Sequence, residues 1–314
     1  MIKLVDIRRL IIVSLILILV IGFTGCAKDI EGIVATVNDE DITQEEFDTE
    51  FQIYRESYER QLGKEALTEV GSDGRTLENA IKQNVLDTLI VERLILKDSE
   101  NNNITVTDDE VNERVDEIIE SLGGETEFEE FLESNAMSKE YFIKFTKNDL
   151  IFTKHMDNYL SNTDISEEEA KEYFNKNKED LIIVRASHIL LSTEEDGKRV
   201  LEAINKGENF EDLAVEESKD SQSAVNGGDL GYIIKGQYTA VQEFEKAVFD
   251  LEVGEISDLV KTEVGYHIIR LDERKDTFED LKQGIIDLLK EQGYTEYIEN
   301  LRDKGKIKVY MDIQ

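Results

Sequence analysis

Residues 185–191 read Arg-Ala-Ser-His-Ile-Leu-Leu and residues 262–269 read Thr-Glu-Val-Gly-Tyr-His-Ile-Ile, and these two stretches decide the fold of the middle of the chain. Runs of β-branched and large apolar residues favour short strands. We therefore expect strands at 182–184, 232–234 and 267–269. Each of the two quoted stretches carries one histidine, and the whole chain has only three.

Amphipathic helical patterns of about ten residues separate these strands. They cover 195–206, 210–218 and 241–249. Strands that alternate with helices in fewer than about 100 residues predict a compact α/β or α+β domain. We place this domain at 182–273.

The sequence on either side of this domain predicts helices. A Ser or Thr followed three positions later by Glu forms a capping box, which starts a helix. The pattern occurs at Thr43 with Glu46, at Thr107 with Glu110 and at Ser166 with Glu169. Amphipathic helices are expected across about 40–178, and a further long helix is expected from Arg274 to Gly305.

Short β-rich runs stand alone near the two ends of the chain, at 33–37 and 307–311. An isolated strand needs a partner, so we expect these two to pair and to close one helical domain around the inserted domain. The predicted fold class is α+β and multi-domain, with a mainly helical domain built from both terminal segments. The predicted limits are 1–25 for an export signal, 26–180 for the amino-terminal helical region, 182–273 for the inserted domain, and 275–314 for a helix and strand that pack back on the amino-terminal region.

Composition excludes several classes of protein. The chain has 71 acidic and 36 basic residues, for a formal net charge of −35. Such a chain repels phosphate backbones, so we exclude nucleic acid as a partner. One cysteine and three histidines exclude a cysteine metal cluster and give little scope for a histidine metal site. We expect no metal.

The amino terminus predicts export. Three basic residues precede an apolar run from Leu10 to Phe23, which is shorter than the roughly 20 residues of a spanning helix. Thr24-Gly25-Cys26 follows and resembles a bacterial lipobox, in which the chain is cut before a cysteine that is then acylated. The alternative is an uncleaved anchor helix with an incidental cysteine. Either interpretation places the rest of the chain outside the cytoplasm, at the cell membrane.

Four motifs follow one another in the inserted domain. They are the stretch 185–191; Gly207–Phe210 with Leu213, Ala214 and Ser218; Asp220 with Ser223, Ala224 and the Gly-Gly-Asp-Leu-Gly of 227–231; and Gly254–Ser257 followed by 262–269. In this order and spacing they resemble the parvulin, or PpiC-type, family of peptidyl-prolyl isomerases. The whole layout resembles the PrsA-type foldases, which are lipid-anchored and carry a parvulin domain flanked by a helical chaperone domain. Residues 34–47 are similar to the opening of that group and of the SurA chaperones.

The resemblance implies a small antiparallel sheet flanked by helices, and it implies a site. In the family, two histidines and a Cys or Asp form a hydrogen-bonded cluster, and His188, His267 and Asp220 occupy those positions here. We expect the two rings to share a hydrogen bond whose polarity Asp220 sets. Thr262 matches a family hydroxyl position that bonds one imidazole. Leu230, Tyr238 and Phe244 fall where the family builds its proline pocket, although Tyr238 stands where Met is common.

The reaction implied is rotation about an X–Pro bond, whose barrier is about 18–20 kcal/mol. Rotation breaks no covalent bond, so we expect no cofactor, and Asp in place of Cys argues against a covalent intermediate. A site for it grips the proline ring and favours the twisted amide, which has less charge on oxygen and a more basic nitrogen.

Each candidate residue also has a structural interpretation. His188 and His267 can be satisfied structural residues, Asp220 can be a helix or turn cap, and Leu230 and Phe244 can belong to the core. The third histidine, His155, is expected on a helix surface. Gly227, Gly228 and Gly231 are expected at positive φ.

The leading hypothesis is a membrane-tethered foldase that isomerises X–Pro bonds of exported, unfolded proteins. One alternative is a holding chaperone whose parvulin domain is catalytically silent. Another is a lipoprotein that binds a small solute, which predicts doubly wound βα repeats that the long helical stretch disfavours. The resemblance leaves a homodimer through the helical region open.

Overall fold

The computed structural model of the chain describes residues 30–72 and 74–313. It divides into two compact units. We call Met1–Thr163 with Glu291–Gln314 the terminal unit, and Asp164–Lys290 the central unit. Cys26 and the predicted export signal lie outside the described residues.

The amino-terminal part of the terminal unit contains two short strands and five helices. In chain order these are β1 (Ile33–Val37), β2 (Glu40–Thr43), α1 (Gln44–Leu62), α2 (Leu77–Asn101), α3 (Asp108–Leu122), α4 (Glu125–Ser134) and α5 (Lys139–Asn162), with a 3-10 turn at Lys64–Thr68.

The central unit begins with a helix and then alternates strands with short helices. Its elements are α6 (Glu167–Asn177), β3 (Ile183–Leu191), α7 (Glu194–Asn205), α8 (Phe210–Glu217), α9 (Ser221–Ala224), β4 (Asp229–Ile234), a 3-10 turn at Thr239–Val241, α10 (Gln242–Asp250), β5 (Val260–Thr262) and β6 (Gly265–Lys275). The last elements of the chain are α11 (Phe278–Lys304), which enters the terminal unit at Glu291, and β7 (Ile307–Val309).

Local side-chain chemistry sets the helix starts. All three predicted capping boxes are present, and they begin α1, α3 and α6. In each box the Ser or Thr hydroxyl accepts a hydrogen bond from the backbone N–H of the Glu three residues later. The Glu carboxylate in turn accepts one from the backbone N–H of the Ser or Thr. Gly305 follows the last residue of α11, as predicted. Among the described residues, no helix has both the length and the apolar character needed to cross a membrane.

The two terminal strands pair, as the sequence predicted. β1 lies between β2 and β7 in a three-stranded sheet, and it is antiparallel to both. Ala35 faces Val309 and Val37 faces Ile307 across the ladder. β2, which joins β1 through the turn at Asn38 and Asp39, was not predicted from the sequence. The core of this sheet continues onto α1 and α2, where Phe47, Leu86 and Ile90 are buried.

The central unit carries a four-stranded antiparallel sheet in the order β4-β3-β6-β5. Apolar residues alternate along β3, so Val184 and Ala186 pack in one cluster while Ile189 and Leu191 pack in another. The predicted fold class, a helical domain built from both terminal segments around an inserted sheet domain, is confirmed.

The central unit is wider than the predicted motif-bearing stretch 182–273. Ala170 and Phe174 of α6 are buried against Leu281 and Ile285 at the start of α11. The domain limits drawn from the sequence remain predictions.

His155 corrects one expectation. We placed it on a helix surface, but its side chain is 3% exposed within the terminal unit. Its Nε2 lies 2.9 Å from Asp98 Oδ2, and its Nδ1 lies 2.9 Å from the Tyr294 hydroxyl. The periodicity of α5 did not reveal this burial because polar partners from α2 and α11 satisfy the ring.

Candidate functional site

Strand register brings the two predicted histidines together. His188 lies on β3 opposite Ile269, and His267 lies on β6 opposite Leu190. Directly paired residues share a face of the sheet, as do residues two apart on one strand. The two rings therefore project from the same face as diagonal neighbours, with centroids 5.4 Å apart.

A single chain of hydrogen bonds joins four of the predicted residues. The two Nδ1 atoms of His188 and His267 are 3.2 Å apart. His188 Nε2 lies 2.8 Å from Asp220 Oδ2, and His267 Nε2 lies 2.8 Å from Thr262 Oγ1. The predicted bond between the rings, the Asp220 contact and the Thr262 contact are all present.

The partners fix the direction of this chain. A carboxylate can only accept, so His188 Nε2 donates to Asp220 and leaves its Nδ1 as an acceptor. His267 Nδ1 must then donate to His188, which leaves His267 Nε2 to accept from the Thr262 hydroxyl. Thr262 Oγ1 in turn lies 3.3 Å from the backbone N–H of Val264, which donates to it. With both rings neutral, all donors thus point toward Asp220.

The titration behaviour agrees with neutral rings and an ionised carboxylate. Burial lowers the pKa of His188, and burial with the neighbouring His188 ring lowers the pKa of His267 to about 4. Burial opposes ionisation of Asp220, but hydrogen bonds from Ser223 and His188 outweigh it and keep the pKa of Asp220 below its usual value.

Asp220 is held by residues that the sequence analysis did not assign to the site. The buried Ser223 hydroxyl donates to Asp220 Oδ2 at 2.6 Å, and the Gln222 N–H donates to Oδ1 at 3.2 Å. Asp220 is therefore also the cap of α9, which confirms the structural interpretation, while its functional role remains a prediction. A hydroxyl three residues after Asp220 is the sequence signal from which Ser223 could have been predicted.

Gly228 contacts the backbone of His188. Its carbonyl accepts from the His188 N–H at 2.8 Å, and its φ is 86°. A Cβ at this position would lie 2.3 Å from the His188 carbonyl oxygen, so only glycine allows the close approach.

The predicted pocket residues border the histidine pair. The Phe244 ring is 2% exposed, and its centroid lies 5.6 Å from His188 and 5.0 Å from His267. Tyr238 lies 5.2 Å from Phe244, and Leu230 and Tyr238 are partly buried against the same cluster. The three residues therefore form an apolar wall beside the neutral rings.

An open cleft of about 510 Å³, which was not predicted from the sequence, adjoins this wall. Residues 239–243, which follow Tyr238, line one side, and residues 261–263 line the other. Thr262 belongs both to the cleft and to the hydrogen-bond chain. The arrangement can hold an apolar ring against the imidazoles while the rest of a peptide lies in the cleft.

Comparisons with protein families match two regions of the chain. The PPIC-type PPIASE domain matches residues 171–275. The SurA-like N-terminal domain matches residues 6–156.

Individual relatives match over most of the chain. The foldase protein PrsA of Caldanaerobacter subterraneus subsp. tengcongensis is 32% identical over 321 residues, which is 95% of this chain and 99% of that protein. The foldase protein PrsA of Geobacillus kaustophilus is 35% identical over 71% of this chain and 76% of its own length. A crystal structure of the peptidylprolyl isomerase PrsA from Bacillus anthracis is 30% identical and covers 69% of this chain and 94% of that one, with a TM-score of 0.32.

Proposed function

The chain belongs to the PrsA foldase family and carries a PPIC-type isomerase domain, and on this premise we propose that it is an active peptidyl-prolyl cis–trans isomerase that assists the folding of exported proteins. One observation carries the proposal. The chain of hydrogen bonds from Thr262 through His267 and His188 to Asp220 lies beside the apolar wall of Phe244 and Tyr238.

The site lowers the barrier by favouring the half-rotated amide over both planar forms. Rotation removes conjugation, so the prolyl nitrogen becomes more basic and the carbonyl oxygen loses charge. An apolar pocket holds the proline ring and excludes water from it, while the oriented dipoles of the neutral imidazoles are already in place and need no rearrangement. Only interactions that strengthen in the twisted state accelerate rotation.

Asp220 acts through His188 and not as a nucleophile. Its Oδ2 already accepts from both His188 Nε2 and the Ser223 hydroxyl. A carboxylate so engaged fixes the tautomer of His188, and through the ring-to-ring bond it fixes that of His267. The roles of His188, His267, Asp220 and Thr262 are thus to orient a polar surface around the amide.

The proposed clients are unfolded or partly folded exported proteins that contain X–Pro bonds. The family relationship and the short apolar run before Cys26 support a place on the outer face of the cell membrane, with an acyl chain on Cys26 as the anchor. Radiolabelled fatty acid on the wild-type protein, and none on Cys26→Ser, is the expected result. Equal labelling of both would contradict the anchor.

A proline-isomer assay on a tetrapeptide, with the purified full chain, tests the activity. We expect acceleration of cis–trans exchange that rises in proportion to protein concentration. No acceleration above the uncatalysed rate would reject the isomerase. If the same protein still prevented aggregation of an unfolded client, it would act as a holding chaperone with a silent isomerase domain.

A further inference from the structure

The charges around the cleft bear on which X–Pro bonds the site prefers. Glu243 and Glu263 lie on opposite sides of it, the first at the start of α10 and the second just after β5. Both side chains are exposed, and neither forms an ion pair within the part of the chain that the structure describes. Two carboxylates without a cationic partner thus face the space beside the proposed proline pocket.

The single cation of the cleft lining is already engaged elsewhere. Lys261 lies opposite Tyr266 in the β5–β6 ladder, and its Nζ lies 5.9 Å from the centre of the Tyr266 ring. Lys261 still lines the cleft, but its one positive charge stands against the two carboxylates. The lining therefore presents net negative charge.

The apolar part of the cleft lining is suited to the methylene groups of a long side chain. Ala240 and Val241 form part of one side of the cleft, and Val241 is partly buried. Lysine and arginine side chains pack their methylene groups on apolar surface while the charged end stays near water. An apolar side with carboxylates at the rim fits such a side chain better than it fits an acidic or a short one.

The cleft adjoins the proposed pocket along the chain and through Thr262, whose hydroxyl lies 2.8 Å from His267 Nε2. Tyr238 and Phe244 of the proposed pocket are directly bonded in sequence to Thr239 and Glu243 of the cleft. An extended peptide advances about 3.3–3.6 Å per residue. A peptide whose proline ring lies against Phe244 can therefore extend its next residue into the cleft that Glu243 and Glu263 line.

We propose that Glu243 and Glu263 select clients with a basic side chain next to the isomerised proline. This inference rests on the proposed isomerase function and names its substrate class. Client segments rich in Lys or Arg beside proline would be turned over fastest.

The test measures kcat/KM of the full chain on matched peptides that carry Lys, Gln or Glu on either side of proline. At an ionic strength of about 0.01 M we expect Lys to exceed Glu by about fivefold, and the ratio should approach one near 1 M salt. The double variant Glu243→Gln with Glu263→Gln should abolish the preference, and Glu243→Lys with Glu263→Lys should reverse it. Glu208→Gln with Glu216→Gln changes net charge equally at exposed positions outside the cleft, and it should keep the preference.

The outcomes separate this inference from the function on which it rests. Acceleration that is equal for Lys and Glu peptides, or a preference that the Gln pair leaves intact, would overturn the inference and keep the isomerase. If no peptide is accelerated, the isomerase proposal fails, and fluorescence anisotropy of the same labelled peptides decides the inference. Tighter binding of Lys peptides that the Gln pair removes would support it, and equal binding would overturn it.

Discussion

Both units of the molecule bury histidine, and the two clusters differ in what they hold together. In the terminal unit, His155 on α5 bonds Asp98 on α2 and Tyr294 on α11, and the Tyr297 hydroxyl donates to the same Asp98 oxygen at 2.6 Å. These helices are far apart in sequence, so the cluster fastens them to one another.

The pair in the central unit lies on neighbouring strands that the backbone ladder already joins. All nine residues of β3 pair with β6, so His188 and His267 are not needed to hold the sheet. Their rings border an apolar wall instead, and Thr262, which bonds His267, also lines an open cleft. Burial and full hydrogen bonding are therefore common to both clusters. Two features distinguish the candidate site from a cluster that only holds helices together: its rings pack against an apolar wall, and the strands that carry them are already joined by backbone hydrogen bonds.

Removal of the polar network in the central unit should give the largest effect. We expect His188→Ala with Asp220→Ala to lower kcat/KM by about 10²–10³-fold, the range found when pre-organised polar groups are removed from a site. The melting temperature should fall, because Ser223 and His267 lose buried partners, but the domain should stay folded because the β3–β6 ladder remains. A proline-isomer assay and thermal unfolding measure the two quantities, with His155→Gln as a variant that should keep activity. If the variant loses its fold together with its activity, His188 and Asp220 would be structural residues, like the cluster around His155.

Acid should destabilise the central unit. The pKa of His267 is lowered to about 4 in the folded chain from about 6.5 in the unfolded one. Between these values the unfolded state binds the proton and the folded state does not, so the free energy of unfolding falls as pH falls from about 6.5 to about 4, by on the order of 3 kcal/mol. Amide hydrogen exchange of β3 and β6 between pH 4 and 6.5 measures this loss in the free energy of unfolding. The His267→Gln variant should flatten the dependence, and an unchanged slope would contradict the assignment.

The terminal unit should respond to pH in the opposite direction. Burial and the neighbouring Glu50 carboxylate raise the pKa of Glu92 to about 7. Above about 4.5 the unfolded chain releases this proton before the folded chain does, so the stability that Glu92 contributes is lost as pH rises toward 7. Amide exchange of α2 should therefore quicken as pH rises, after correction for intrinsic exchange, and Glu92→Gln should remove the trend. A slope of the same sign in both units would contradict this contrast.

Truncation of Asp98 tests whether the cluster around His155 holds the helices of the terminal unit together. Asp98→Ala leaves the buried His155 ring and the partly buried Tyr297 hydroxyl without their acceptor, at a cost of about 2 kcal/mol in the free energy of unfolding of the terminal unit. Asp98→Asn keeps an acceptor oxygen and should lose less. Urea unfolding followed by tyrosine fluorescence measures the difference, and kcat/KM on a tetrapeptide should stay at the wild-type value. A fall in kcat/KM would show that the two clusters are coupled.

Loss of the Ser223 hydroxyl should give the smallest effect. Ser223→Ala removes one of the bonds that keep Asp220 oriented and ionised, and we expect kcat/KM to fall about fivefold, which corresponds to about 1 kcal/mol for one hydrogen bond. The acid limb of the pH–rate profile should also shift, which a purely structural role would not cause. The exposed Ser221 on the same helix gives the control, since Ser221→Ala should leave rate and profile unchanged.

Features that depend on a few adjacent residues were predictable. The capping boxes that begin α1, α3 and α6 are local chemistry within four residues, and so is the stop of α11 at Gly305. The candidate residues His188, Asp220, His267 and Thr262 were found because their motifs follow a family order. Their catalytic roles remain proposals.

Features that depend on distant partners were missed. The burial of His155 requires Asp98 and Tyr294, which lie 57 and 139 residues away in sequence. The strands β2 and β5 are only four and three residues long, so each carries too little pattern to stand out. The cleft arises where residues 239–243 meet residues 261–263, and no single stretch of sequence contains it.

The sequence by itself determined where helices begin, which segments carry the family motifs, and that the chain is strongly acidic. Each of these features depends only on neighbouring residues or on a count of charged residues. The tertiary structure alone decided the direction of the hydrogen-bond chain toward Asp220, the burial of His155 and the placing of Glu243 opposite Glu263. Each of these depends on distances between groups that the chain brings together only when its strands pair and its helices pack.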